Sequence, residues 1–169
     1  MSQIVLLYWR ICIFVSGPDA VPASRTLLGA TIVVNALLSI AMYMWVNEPD
    51  FLTAATLVTV SMAGTGGLVW VIMQLMDLRH RLPQTLTALY GVDIITTALT
   101  GLIAVFTNVD EPGLTATGVS MVSLLMLWNL AIVAFIFHRA LNIHLGFGML
   151  VALFVLIFSI AMSQAAIST

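Results

Sequence analysis

Five long apolar runs dominate the chain, the first four each closed by a short polar knot. They occupy residues 26–46, 53–76, 84–107, 116–137 and 145–167. A helix rising about 1.5 Å per residue needs about 20 apolar residues to cross a bilayer core, and each run has that length. The knots are Asn47-Glu48-Pro49-Asp50, Asp77-Leu78-Arg79-His80-Arg81, Asn108-Val109-Asp110-Glu111-Pro112-Gly113 and His138-Arg139. Pro83 follows the second knot and suits the first turn of the next helix, where its missing N–H costs nothing. The runs lack the every-second-residue alternation of a membrane barrel. The short connections force antiparallel neighbours, so the pattern predicts an all-α, polytopic membrane bundle of five transmembrane helices.

The N-terminus reads differently. Residues 4–15 are apolar, too few to span, and Arg10 interrupts them. A secretory signal puts its charge ahead of the apolar core, so cleavage is not expected. Tyr8, Trp9 and Arg10 together suit the headgroup boundary, which predicts a short amphipathic helix lying along the membrane surface. Gly17-Pro18 ends it, and Ser24 is placed to cap the first span. The expected organisation is an interfacial helix and linker over residues 1–24, then a transmembrane domain over 25–169.

Charge sets the orientation. Arg10 and Arg25 precede the first run, Arg79 and Arg81 separate the second from the third, and Arg139 separates the fourth from the fifth. In a five-span chain these places share one face. The remaining connections carry Glu48, Asp50, Asp110 and Glu111 and no basic residue. The positive-inside rule then predicts a cytoplasmic N-terminus and a C-terminus outside, with the arginines as cytoplasmic-face anchors. Arg79 and Arg81 also suit a lipid phosphate, and Asp77 would pair with Arg81 if its helix ran that far.

Composition narrows the class. Hydrophobic residues make up 62% and charged residues 7%, against about a quarter charged in soluble domains. That excludes a soluble fold and a disordered chain. A net charge of -2 with five scattered arginines excludes a nucleic-acid binder. One cysteine, Cys12, forms no intrachain disulfide and reads as a small apolar residue.

Within the runs, polar groups are few. Asp93 is the one acid deep in a span, roughly 12–14 Å from the arginine-bearing edge by helical rise. The same depth falls at Asn35 on the first span, at Asn129 on the fourth and at Gly66-Gly67 on the second; the fifth offers only Leu153 and Phe154, with Ser159 farther out. The expectation is an intramembrane polar cluster of Asp93, Asn35 and Asn129 facing the interior, its members satisfying one another where lipid cannot. It is either a clasp that fixes helix register or a binding or proton-exchanging site. Ala63-Gly64-Thr65-Gly66-Gly67 has small residues at close-packing intervals, so Gly64, Gly66 and Gly67 are expected at a tight helix contact. Gly91, Asp93, Thr96, Thr97, Thr100 and Gly101 mark the third span as the central one. The fifth is expected to face lipid.

Catalytic chemistry is missing from the pattern. The three histidines sit at one boundary, so haem ligation across the bundle is not expected. No nucleophile–base arrangement or metal-ligand spacing stands out. No catalytic residue, metal or cofactor is expected.

Five short-looped spans with Leu89-Tyr90-Gly91 in the third resemble Yip1-type five-span membrane domains. Residues 10–24 resemble the start of small bacterial inner-membrane proteins. The second resemblance implies an inner-membrane location and no activity. The sequence therefore leads to a non-enzymatic scaffold or accessory subunit working through helix–helix contacts, as a homo-oligomer or with a membrane-protein partner in the lipid bilayer. The alternative is a small-solute or proton pathway centred on Asp93.

Overall fold

The computed structural model describes residues 2–47, 50–107 and 116–167. The acidic residues Glu48, Asp110 and Glu111 lie outside that set. Among the described residues there are six α-helices and no strand: α1 (Ser2–Cys12), α2 (Arg25–Asn47), α3 (Phe51–Leu75), α4 (Leu82–Thr107), α5 (Ala116–Leu141) and α6 (Leu145–Ile167). Single 3₁₀ turns at Pro18–Ala20 and Arg79–Arg81 lie between α1 and α2 and between α3 and α4. The five helices α2 to α6 are long and apolar enough to cross a membrane, and the chain is a helical membrane protein.

Helix ends follow local chemistry. Asp50 caps α3, its carboxylate accepting from the Thr53 amide at 3.2 Å and the Thr53 hydroxyl at 2.6 Å. Pro83 sits in the first turn of α4, as its missing N–H requires. At the arginine-bearing end, α1, α3 and α5 all stop at a left-handed residue: Phe14 (φ 60°), Asp77 (φ 57°) and Asn142 (φ 54°). Each time the next amide reaches back five residues, from Val15 to Arg10, Leu78 to Met73 and Ile143 to His138, at 2.9, 2.8 and 3.2 Å. These are Schellman closures made without glycine. The one after α3 answers the Asp77–Arg81 expectation. The helix ends at Leu75, Asp77 turns left-handed, and the spacing that would pair it with Arg81 is lost. Conversely, α5 runs through His138-Arg139 instead of stopping there. Cations suit the last turn of a helix, where the carbonyl ends are exposed.

Around the bundle, α2 packs on α3 and α4, α4 on α5, α5 on α6, and α6 returns to α3. The result is a closed ring in the order α2, α3, α6, α5, α4, with a narrower contact between α3 and α4 across it. As its small and polar residues suggested, α4 has the most neighbours, packing on α2, α3 and α5 of the ring and on α1 besides. The expectation for the fifth span holds for one face of the helix and omits the other. One face of α6 is exposed at Phe154 and Ile157, but Ala152 and Val155 are buried. Its Gly148 lies so close to α5 that a β-carbon there would come within 2.6 Å of the Ala134 carbonyl oxygen. The helix is thus a full member of the ring, admitted by small residues that hydropathy does not register.

Helix α1 is held by shape. Tyr8, Ile11 and Cys12 are buried and share one core with residues of α3, α4, α5 and α6. The Tyr8 ring fills the space beside Gly91, where a β-carbon would lie 2.5 Å from it. Its hydroxyl bonds Thr31 of α2 at 3.0 Å. Trp9 stacks edge-on against Trp128, and Phe14 against Phe135, at 6.5 and 5.5 Å between ring centres. Seven residues, about 10 Å of rise, separate those two α5 partners, so α1 meets α5 over about two turns. The segment expected to be a separate interfacial unit shares the core of the bundle.

Candidate functional site

The site starts at Asn35, fully buried on α2. Its side-chain N–H donates to one carboxyl oxygen of Asp93 on α4 at 2.9 Å. Its carbonyl oxygen accepts from the Ser39 hydroxyl, one turn along α2, at 3.1 Å. Ser39 holds the amide in the orientation that presents its N–H to the acid. A carboxyl among apolar side chains needs such a donor, because lipid offers none.

The second carboxyl oxygen has no hydrogen-bond partner among the described residues. Asp93 lines a cavity of about 710 Å³ bounded by α3, α4, α5 and α6. Three- and four-residue spacing puts Tyr90, Asp93, Thr97 and Thr100 on the face of α4 toward this space. Thr65 and Ser61 line it from α3, Asn129 from α5 and Ser159 from α6. Ser61 and Ser159 join their hydroxyls at 2.9 Å, tying α3 to α6. Tyr90 donates across the ring to the Met62 carbonyl at 2.9 Å, tying α4 to α3.

Asn129 departs from expectation. Its N–H donates to the Thr96 hydroxyl at 2.8 Å, not to Asp93. Thr96 in turn donates to the Asp93 backbone carbonyl at 3.1 Å. The depth was right, but the two amides approach α4 from different sides, α2 on one and α5 on the other. The expected three-membered cluster therefore divides into Asn35–Asp93 and Asn129–Thr96, joined through the backbone of α4. Thr96 is the residue that reasoning from depth passed over.

The glycines also divide. A β-carbon at Gly64 would make ordinary contact with Met162 of α6 at 3.4 Å, and one at Gly66 would come within 2.9 Å of the Tyr90 hydroxyl. At Gly67 nothing lies within 4 Å. Gly67 is exposed and is not part of a tight contact, which corrects the expectation for that position.

The arginines gather at the end of the bundle where α2 and α4 begin and α3 and α5 finish. Arg10, Arg25, Arg79 and Arg139 are exposed and Arg81 is half-buried. The His138 ring Nδ1 donates to the Ile143 carbonyl, which helps close α5. Among the described residues, no three of the His, Cys, Asp and Glu side chains are grouped as metal ligands would be.

With these bonds assigned, the unused polar groups on the large cavity both accept and donate. The second Asp93 oxygen and the Asn129 side-chain carbonyl accept, one Asn129 N–H donates, and the Thr65 and Thr97 hydroxyls do either. Through its acid, such a lining receives a solute that donates hydrogen bonds or carries positive charge, and its volume falls in the range of about 300–1,000 Å³ typical of small-molecule pockets. No family model matches the chain, and no curated protein or solved structure is similar to it.

Proposed function

We propose that the chain binds a small, hydrogen-bond-donating or cationic solute, or a proton, in the Asp93 cavity as a step in its passage through the membrane. One observation carries this reading: Asp93 is anchored through one oxygen to Asn35 while the other opens on a cavity large enough for a ligand. A clasp that merely fixed helix register would engage both oxygens and leave no such space. The cavity is lined by helices long and apolar enough to span, which supports a place within the membrane; the positive-inside rule supports a cytoplasmic arginine-bearing end, and the resemblance of residues 10–24 supports a bacterial inner membrane. The scaffold reading draws on exposed apolar helix faces that lipid covers equally well, so the cavity favours binding.

The test uses purified protein in lipid vesicles with an imposed pH gradient. Proton flux is followed with an entrapped pH dye and solute uptake with labelled methylammonium. Wild-type protein accelerates one or both over protein-free vesicles, and Asp93→Asn abolishes the gain. Asn keeps an acceptor for Asn35, so the variant stays folded, losing no more than about 1 kcal/mol. Equal flux through wild type and Asp93→Asn, or no flux above the protein-free control, refutes the proposal.

A further inference from the structure

A second cavity, of about 300 Å³, lies at the arginine-bearing end, well apart from Asp93. Three stretches distant in sequence meet there: the Pro18–Ala20 turn, the Arg79–Arg81 turn with the start of α4, and the end of α5. Its walls carry Arg81, His80 and Arg139, with Asp19 as the one carboxylate among the lining residues.

The hydrogen bonds show what this cavity has to offer. Gln84 spends an amide N–H on the Val21 carbonyl at 2.9 Å, and Thr85 spends its hydroxyl on the Arg81 carbonyl at 3.0 Å. Both serve the fold. Arg81 spends one N–H on the Ala140 carbonyl at 3.4 Å and keeps the others. Arg139 lies over the Phe135 ring at 5.8 Å, and the Asp19 carboxylate lies near its Nε beside Gly17, beyond ion-pair distance. Neither guanidinium has an ion-pair partner among the described residues. Two unpaired arginines and one aspartate leave the cavity with a formal surplus of one positive charge when His80 is neutral.

We infer that this cavity is a binding site for a singly charged phosphate group, gripped between Arg81 and Arg139. Guanidinium forks match phosphate oxygens in pairs, which a point charge does not. Asp19 lowers the net charge and so disfavours multiply charged anions. The site lies where α4 enters and α5 leaves the apolar layer, the level of lipid headgroups. A lipid phosphodiester and free inorganic phosphate share this chemistry. Arg79, which the sequence paired with Arg81 for this role, is exposed and absent from the cavity wall; Arg139 takes its place.

The test measures lipid retention by the full-length protein in detergent, by native mass spectrometry, with added phosphatidylglycerol. Arg81→Gln and Arg139→Gln each weaken retention by about tenfold or more, Arg139→Lys weakens it less, and Arg79→Gln leaves it unchanged. Thermal melting checks the fold of each variant, and Arg139→Lys supplies the comparison if a glutamine variant fails to fold. Displacement of the lipid by millimolar inorganic phosphate assigns the site to free phosphate; lipid retained against phosphate assigns it to the headgroup. Equal weakening by Arg79→Gln and Arg139→Gln, or no retention by wild type, overturns the proposal.

Discussion

Replacing Gly148 by Ala and Gly67 by Ala makes the same chemical change on two helices, yet the packing demands opposite outcomes. At Gly148 a β-carbon would lie 2.6 Å from the Ala134 carbonyl oxygen and 3.1 Å from the His138 backbone nitrogen. Both are backbone atoms of α5, so no rotamer change relieves them. Ordinary contact begins near 3.4 Å, so α6 must move off α5 by several tenths of an ångström. Over-packing of this kind costs about 1–3 kcal/mol. At Gly67 nothing lies within 4 Å, and the substitution keeps only the helix-propensity gain, at most about 1 kcal/mol. Gly148→Ala is therefore expected to destabilise, Gly67→Ala to be neutral or stabilising, and their difference to be at least about 1 kcal/mol. Unfolding in mixed micelles titrated with denaturing detergent reads both. Moving α6 also widens the cavity wall carrying Ala152 and Val155, so Gly148→Ala should impair whatever the cavity binds. Equal effects, or greater damage at Gly67, would refute the ring packing.

Two further expectations concern groups outside the spans. Burial pushes the Cys12 thiol up to about 11, leaving roughly one molecule in ten thousand as thiolate at neutral pH; maleimide should label Cys12 only after unfolding, and rapid labelling of the folded protein would contradict the docked position of α1. At the start of α3, hydrogen bonds from the Thr53 hydroxyl and amide hold the Asp50 carboxyl below its ordinary 3.8. A lowered folded-state value means that the cap's contribution is complete above 3.8 and fades as pH falls through the depressed value. Protection of the Thr53 amide from hydrogen exchange should fall over that acid range in wild type and stay flat in Asp50→Asn; a pH-independent wild type would refute the cap.

Depth is written in this sequence and rotation is not. The helical rise put Asp93 and Asn35 in one layer, and their 2.9 Å hydrogen bond follows from that arithmetic. The same arithmetic put Asn129 in the layer but could not say which side of α4 it would meet, so its bond to Thr96 was out of reach. The five spans were legible because hydrocarbon thickness imposes a length. The seat of α1 was not, because it depends on the fit of the Tyr8 ring to the bare backbone of Gly91, a pairwise match between distant positions. Likewise, α6 read as lipid-facing because leucine and phenylalanine mask the smaller signal of Gly148 and Ala152. The arginine cluster was legible as a face, but which two arginines share a cavity depends on where α3 and α5 stop. Left-handed closures at Asp77 and Asn142 decide that.

The ring itself explains why a cavity exists. Five helices packed at about 9 Å spacing have axes about 7.7 Å from their common centre, and subtracting a helix radius of about 5 Å leaves a central gap nearly 3 Å in radius. Side chains must fill that gap, collapse it or leave it open. Between α3 and α4 it is collapsed, where Tyr90 reaches the Met62 carbonyl over the bare backbone of Gly66. On the α5 and α6 side it stays open, with Ser123, Asn129 and Ser159 set among leucine, valine and methionine, and with the threonines of α4 on the facing wall. An empty void forfeits dispersion contacts, whereas polar groups on its wall let it hold water or a ligand that satisfies them. The acid stands at the border between the two regions, tied on the α2 side and free on the open side. That asymmetry gives the carboxyl a fixed position and an unused oxygen together, which a binding group inside a membrane requires and a structural clasp does not.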